Sequence, residues 1–145
     1  MEPLKKNALE KASRMVIKIG SNLVTNNRND LINKDILNNI AEEINSLHIK
    51  KKEVMLVSSG AVSLGRKALN LKSIALSIEE KQAAASIGQI ILINAWKDSF
   101  DKFNIHCGQI LLSHRDAELR INALNARNTL EELIKYKSIP IINEN

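Results

Sequence analysis

The 145-residue sequence predicts an α/β fold, a three-layer αβα arrangement around a mainly parallel sheet. Three observations carry this. Short apolar, β-branched runs alternate with longer stretches of helical period, in the order strand, helix, strand, helices, strand, helix, strand. Val54-Met55-Leu56-Val57 is apolar at every position, as a strand covered on both faces is. Small, polar or glycine residues follow the strand ends, where open parallel sheets bind ligands.

Residues Met1 to Arg14 read as an N-terminal leader, a short helix or a frayed segment. Met15-Val16-Ile17-Lys18-Ile19 has the composition of a strand, with one lysine inside it. A polar, asparagine-rich stretch, Thr25 to Asp30, leads to Ile36, Leu37, Ile40, Ala41, Ile44 and Leu47, which recur at the helical period. Asn33 is placed to cap that helix, with Ile32 and Leu37 as its staple. The second strand, Val54 to Val57, ends abruptly at Ser58-Ser59-Gly60, and a helical stretch opens at Ala61. Ser77 and Glu80 form a capping box for a long helix running to about Phe103. Within it, Ala83-Ala84-Ala85 and Gly88 permit close packing. Ile105 to Leu112 reads as a third strand, Ala117 to Tyr136 as a helix or helix pair, and Ile139-Pro140-Ile141-Ile142 as a fourth strand. No repeat or linker interrupts this order, so one domain, 15–145, is expected after the leader.

Hydrophobic residues make up 44% of the chain and charged residues 26%, the balance of a globular protein. A chain this long buries roughly 68% of its unfolded surface, enough for a core without disulfides or structural metal. The single cysteine, Cys107, excludes a disulfide scaffold and a zinc module, and points to a reducing, cytoplasmic compartment. No apolar h-region follows Lys5 and Lys6, and the most apolar stretch, Ala83 to Ile93, is broken by Ser86, Gly88 and Gln89, so neither signal peptide nor membrane span is expected. A net charge of +5 suits a phosphorylated ligand or another polyanion. Nucleic acid is not expected. The lysines are dispersed, the run Lys50-Lys51-Lys52 sits in a solvated helix-to-strand junction, and no aromatic platform is present. His48, His106 and His114 are scattered, and the neighbours His106 and Cys107 face opposite ways on one strand, so no metal site is expected. Trp96 and Phe100, four residues apart on the long helix, read as a packing pair.

At the strand ends, Lys18 is the sharpest residue, because an ammonium inside an apolar strand needs an anion or carries a desolvation cost. A phosphate beside Gly20 and Ser21 fits, with Lys18 neutralising charge on a transferring phosphoryl group. An edge-strand lysine that snorkels to water fits the strand equally well. Ser58-Ser59-Gly60 before a helix offers that helix's first amides to a carboxylate or phosphate, while an ordinary serine N-cap explains the same residues. The G-x-S-x-G elbow is absent, so neither serine reads as a hydrolase nucleophile, and without a Walker or G-x-G-x-x-G pattern the P-loop and dinucleotide readings lose their main support.

Taken together, VIKIGS (Val16 to Ser21), VSSGAVSLGR (Val57 to Arg66), KQAAASIGQ (Lys81 to Gln89), GQILLS (Gly108 to Ser113), LNARNTL (Leu124 to Leu130) and IPIINEN (Ile139 to Asn145) resemble the amino-acid kinases, and among them the glutamate 5-kinases of proline biosynthesis. The resemblance implies transfer of the γ-phosphoryl group of ATP, with Mg2+, to the side-chain carboxylate of L-glutamate. By matching motif, Lys18 would contact the ATP phosphates and stabilise the transition state, and Gly20 and Ser21 would line the same region. Ser59, Gly60 and Ala61 would hold glutamate, and Asn143 and Asn145 would lie in the glutamate-binding loop after the fourth strand.

In that family the INEN segment runs on into a glutamate-binding aspartate, and a second half supplies the adenine pocket. This sequence stops at Asn145. The expectation is therefore the glutamate-binding half of a kinase domain, truncated, inactive alone, and completed by self-association or a complementary C-terminal half. A non-catalytic glutamate-binding or assembly fragment is the alternative. The apolar Ile139 to Ile142 is further expected to be left as an open sheet edge.

Overall fold

The computed structural model describes residues 9–26, 31–73, 75–113 and 118–144. Arg14–Ile19 (β1), Glu53–Ser58 (β2), Cys107–Leu112 (β3) and Ile139–Glu144 (β4) form one sheet, parallel throughout, in the order β1-β2-β4-β3. Parallel neighbours need crossovers. These are supplied by Ser21–Val24 (α1) and Lys34–Ile49 (α2), by Ala61–Ala68 (α3) and Ile78–Asp101 (α4), and by Arg120–Lys135 (α5).

The register sorts the side chains onto two faces. Val54, Leu56, Ser58, Ile139 and Ile141 face one way and are buried with Leu37, Ala41 and Ile44 of α2 and Leu92, Trp96 and Phe100 of α4. Burying each large side chain of this kind contributes about 1.5–3 kcal/mol. Trp96 and Phe100 are the packing pair their spacing predicts, fully buried, with ring centroids 5.9 Å apart and ring planes inclined by 25°. The opposite face carries α5, whose Glu131 is held by Arg14 and whose Leu133 covers Gly108. The three-layer expectation is met, with one layer built from a single helix among the described residues.

Local chemistry sets the helix starts. The Asn33 side chain accepts from the Ile36 amide at 3.4 Å, and both halves of the Ser77–Glu80 capping box form, at 2.8 and 3.2 Å. The helix ends are less orthodox. α2 to α5 are each followed by a non-glycine residue with positive φ: Lys51, Asn70, Asn104 and Lys137. After each, the next amide reaches back five residues, as in Lys52 N–H to Leu47 C=O and Ser138 N–H to Leu133 C=O.

Several boundaries move. Arg14 belongs to β1 and not to a leader, because its guanidinium bridges Glu53 of β2 and Glu131 of α5. α4 stops at Asp101 and β3 starts at Cys107, where Asn104 turns the chain. The stretch expected as a helix or helix pair holds one helix, Arg120–Lys135, and residues 114–117 lie outside the described residues. The largest correction concerns Ile139 to Ile142. β4 is an interior strand, paired with β2 at Leu56↔Ile141 and with β3 from Cys107↔Ile139 to Leu112↔Glu144. Its apolar side chains are covered because the last strand in sequence inserts between two earlier ones, leaving β1 and β3 at the edges. Pro140 precedes the first β2–β4 pair, where the strand needs no donor toward β2.

Candidate functional site

The carboxyl ends of β1, β2 and β4 open into one cleft of about 750 Å³. Ser21, Ser59, Gly60, Ala61 and Asn143 all line it, together with Arg66 of α3 and Lys81, Gln82 and Ala85 of α4. Residues predicted from three separate strand ends thus converge.

Two close approaches build this geometry. Gly60 has φ +118°, a conformation side chains resist, and an added Cβ would press on Val24 Cγ1 at 3.2 Å. Its bare Cα lets the α1 turn pack against the β2–α3 turn, and the Ser59 amide ties the two by donating to the Ile19 carbonyl at 3.1 Å. Gly65 and Gly88 then bring α3 against α4. A Cβ at Gly65 would overlap the Ala84 carbonyl, and one at Gly88 the Ala61 carbonyl. The close packing expected of Ala83 to Gly88 is therefore backbone against backbone, and it sets the wall that α4 gives the cleft.

The structure separates the two serines. The Ser58 hydroxyl is buried and accepts from the Trp96 indole N–H at 2.9 Å. Ser59 faces the cleft. Neither caps α3, because the N-cap is Gly60 and no side chain supplies a cap bond. The ordinary N-cap reading therefore fails, and the first amides of α3 open onto the cleft without a side-chain acceptor.

Lys18 is not among the cleft-lining residues. It lies on the edge strand β1, exposed, on the sheet face opposite Ile19, so the desolvation reasoning for a buried ammonium does not apply to it. Of the two readings open for Lys18, its position is that of the edge-strand lysine in water, because edge and interior strands are not distinguished by five residues of local sequence. Gly20 is exposed at the start of α1 and also outside the lining, and Asn145 lies outside the described residues.

Arg66 and Lys81 were not anticipated as site residues, although both stand inside the quoted motifs. Arg66 follows Val62 by one helical turn on the cleft side of α3. Its guanidinium donates to the Leu71 carbonyl at 3.3 Å and the Ser73 carbonyl at 2.6 Å, holding the loop toward Ala75 and Leu76 that closes the cleft's far side. The lining holds two cations and no aspartate or glutamate among the described residues. A small polar anion fits such a cleft. No three His, Cys, Asp or Glu side chains among the described residues converge, and no described helix is long and apolar enough to cross a membrane.

The chain is 49% identical over 140 residues to glutamate 5-kinase 1 of Rhizobium meliloti (strain 1021), covering 97% of this chain and 35% of that protein. It is 50% identical over 137 residues to the glutamate 5-kinase of Sinorhizobium fredii, covering 94% and 35%, and 48% identical over 142 residues to that of Agrobacterium fabrum, covering 98% and 36%. The chain thus spans about a third of the length of these curated relatives. Among solved structures, isopentenyl phosphate kinase of T. acidophilum in its product complex superposes with a TM-score of 0.56 at 14% identity, covering 89% of this chain and 54% of that one. A further isopentenyl phosphate kinase structure gives 0.59 at 18% identity, covering 90% and 56%. These two likenesses concern the fold alone. Residues 13–145 match the amino acid kinase family, and the chain belongs to that family.

Proposed function

We propose that this chain forms the acceptor side of a glutamate 5-kinase site, binding L-glutamate for phosphorylation of its side-chain carboxylate by ATP with Mg2+. One observation carries the reading: Ser21, Ser59, Gly60, Ala61 and Asn143 converge on one cleft, in a chain about half identical to glutamate 5-kinases over 137 to 140 residues. Ser59 and the open amides of α3 would hold a carboxylate, and the Asn143 carboxamide would offer donor and acceptor to the amino acid's charged ends. ATP supplies the phosphoryl group when bound. Gly20 and Ser21 border the strand end where phosphates would lie, Lys18 would reach them from the rim of β1, and Asn145 would join Asn143 in holding glutamate. Mg2+ would be held chiefly through the nucleotide phosphates, since the cleft lining offers it no carboxylate among the described residues. The lone, half-buried Cys107 suits a reducing cytoplasm.

Calorimetric titration tests the acceptor. L-Glutamate is expected to bind the 145-residue chain more tightly than L-aspartate or L-glutamine, with binding lost in Asn143→Ala. Equal affinity for all three, or none for any, would overturn the reading. Glutamyl phosphate trapped as hydroxamate, with Lys18→Ala as the control, then reports whether the chain turns over alone or requires self-association or a second half.

A further inference from the structure

The motif KQAAASIGQ opens with Lys81. Lys81 stands in the first turn of α4, where a cation opposes the positive end of the helix dipole. Nothing on its own helix offsets that placement, because the residues three and four positions away are Ile78, Ser77, Ala84 and Ala85. The nearby Glu80 carboxylate is committed to the Ser77 amide. The Lys81 side chain is exposed, lines the cleft, and makes no hydrogen bond or ion pair with any described residue. Arg66, the other cation of the lining, is spent on the Leu71 and Ser73 carbonyls. Lys81 is thus an ammonium that neither the fold nor the helix uses, facing a cleft whose described lining holds no acid.

We propose that Lys81 binds the non-reacting carboxylate of the amino-acid substrate, and so makes the cleft select a dicarboxylic acceptor. This rests on the glutamate-acceptor reading above. The reacting carboxylate must face the strand ends, at Ser21 and Ser59, where a phosphoryl group can approach. Lys81 stands on the α4 wall of the same cleft, so it meets the α-carboxylate at the other end of the ligand. A charge-assisted hydrogen bond to that carboxylate is worth about tenfold or more in affinity.

The test compares L-glutamate with L-isoglutamine, its α-carboxamide, by calorimetry on the 145-residue chain. The wild-type chain is expected to prefer L-glutamate by about tenfold or more. In Lys81→Gln that preference collapses toward unity through loss of L-glutamate affinity, with L-isoglutamine affinity unchanged, and Lys81→Arg restores part of it. A merely structural lysine would weaken both ligands together, and circular dichroism of each variant confirms retained helix. If Lys81→Gln keeps the wild-type preference, or loses ATP binding in its place, the Lys81 assignment falls while the acceptor reading stands. If the wild-type chain binds neither ligand, both fall.

Discussion

The Trp96 indole N–H donates to the Ser58 hydroxyl at 2.9 Å inside the core, pinning the end of β2 to the C-terminal half of α4. Ser58→Ala would leave that buried donor unsatisfied, a loss of about 1–3 kcal/mol. Urea unfolding followed by the fluorescence of Trp96, the only tryptophan in the sequence, measures it. The neighbouring Ser59→Ala, which faces the cleft, is expected to stay within about 0.5 kcal/mol of wild type.

The α3–α4 contact is equally exacting. Gly88→Ala sets a methyl group into the Ala61 carbonyl, so the helices must separate, at a cost of about 1–3 kcal/mol. Gly20→Ala places its methyl in open space with an ordinary backbone φ of −74°, and its melting temperature should match wild type. Thermal melts of the pair distinguish a packing glycine from a permissive one.

Four helices end in left-handed residues that carry side chains. Lys137, at φ 56°, is exposed and its side chain makes no hydrogen bond or ion pair with any described residue. Lys137→Gly is expected to raise stability by up to about 1 kcal/mol, read as a shift in the denaturant midpoint. A lower midpoint would contradict this account of the turn.

Arg14 binds both oxygens of Glu131, at 2.7 and 2.9 Å, and this holds the Glu131 carboxyl below the usual carboxylate range. A carboxyl depressed in the folded state contributes stability above its ordinary value and loses it as pH falls through the lowered one. Glu131→Gln should therefore lower stability at neutral and alkaline pH and flatten the acid limb below about pH 5, the two profiles converging at low pH. Because the pair is exposed, added salt should shrink the difference.

Burial pushes the Cys107 thiol up, with Asp101 adding to the effect. Its thiolate fraction at pH 8 should be small, so disulfide-exchange reagents are expected to label it more slowly than they label glutathione, with the rate recovering in urea. Rapid labelling of the native chain would show that β3 opens at its edge.

Much of this molecule is determined locally. Periodicity located the four strands and the long helices, Asn33 and the Ser77–Glu80 box marked two helix starts, and the residues after β1, β2 and β4 named five of the thirteen that line the cleft. Those signals act within a few residues, so the sequence alone determines them. The short helix α1 and the left-handed helix ends carried no glycine signal at their turns and were not legible. Strand order was decided only in three dimensions. Insertion of β4 between β2 and β3 buried the apolar run expected at an edge, and the same order put β1 at the rim and Lys18 in solvent. Arg66 and Lys81, 15 residues apart and on different helices, share one cleft because the bare backbones at Gly65 and Gly88 let α3 and α4 touch. Contacts between distant segments depend on which surfaces can approach, and no local pattern encodes that.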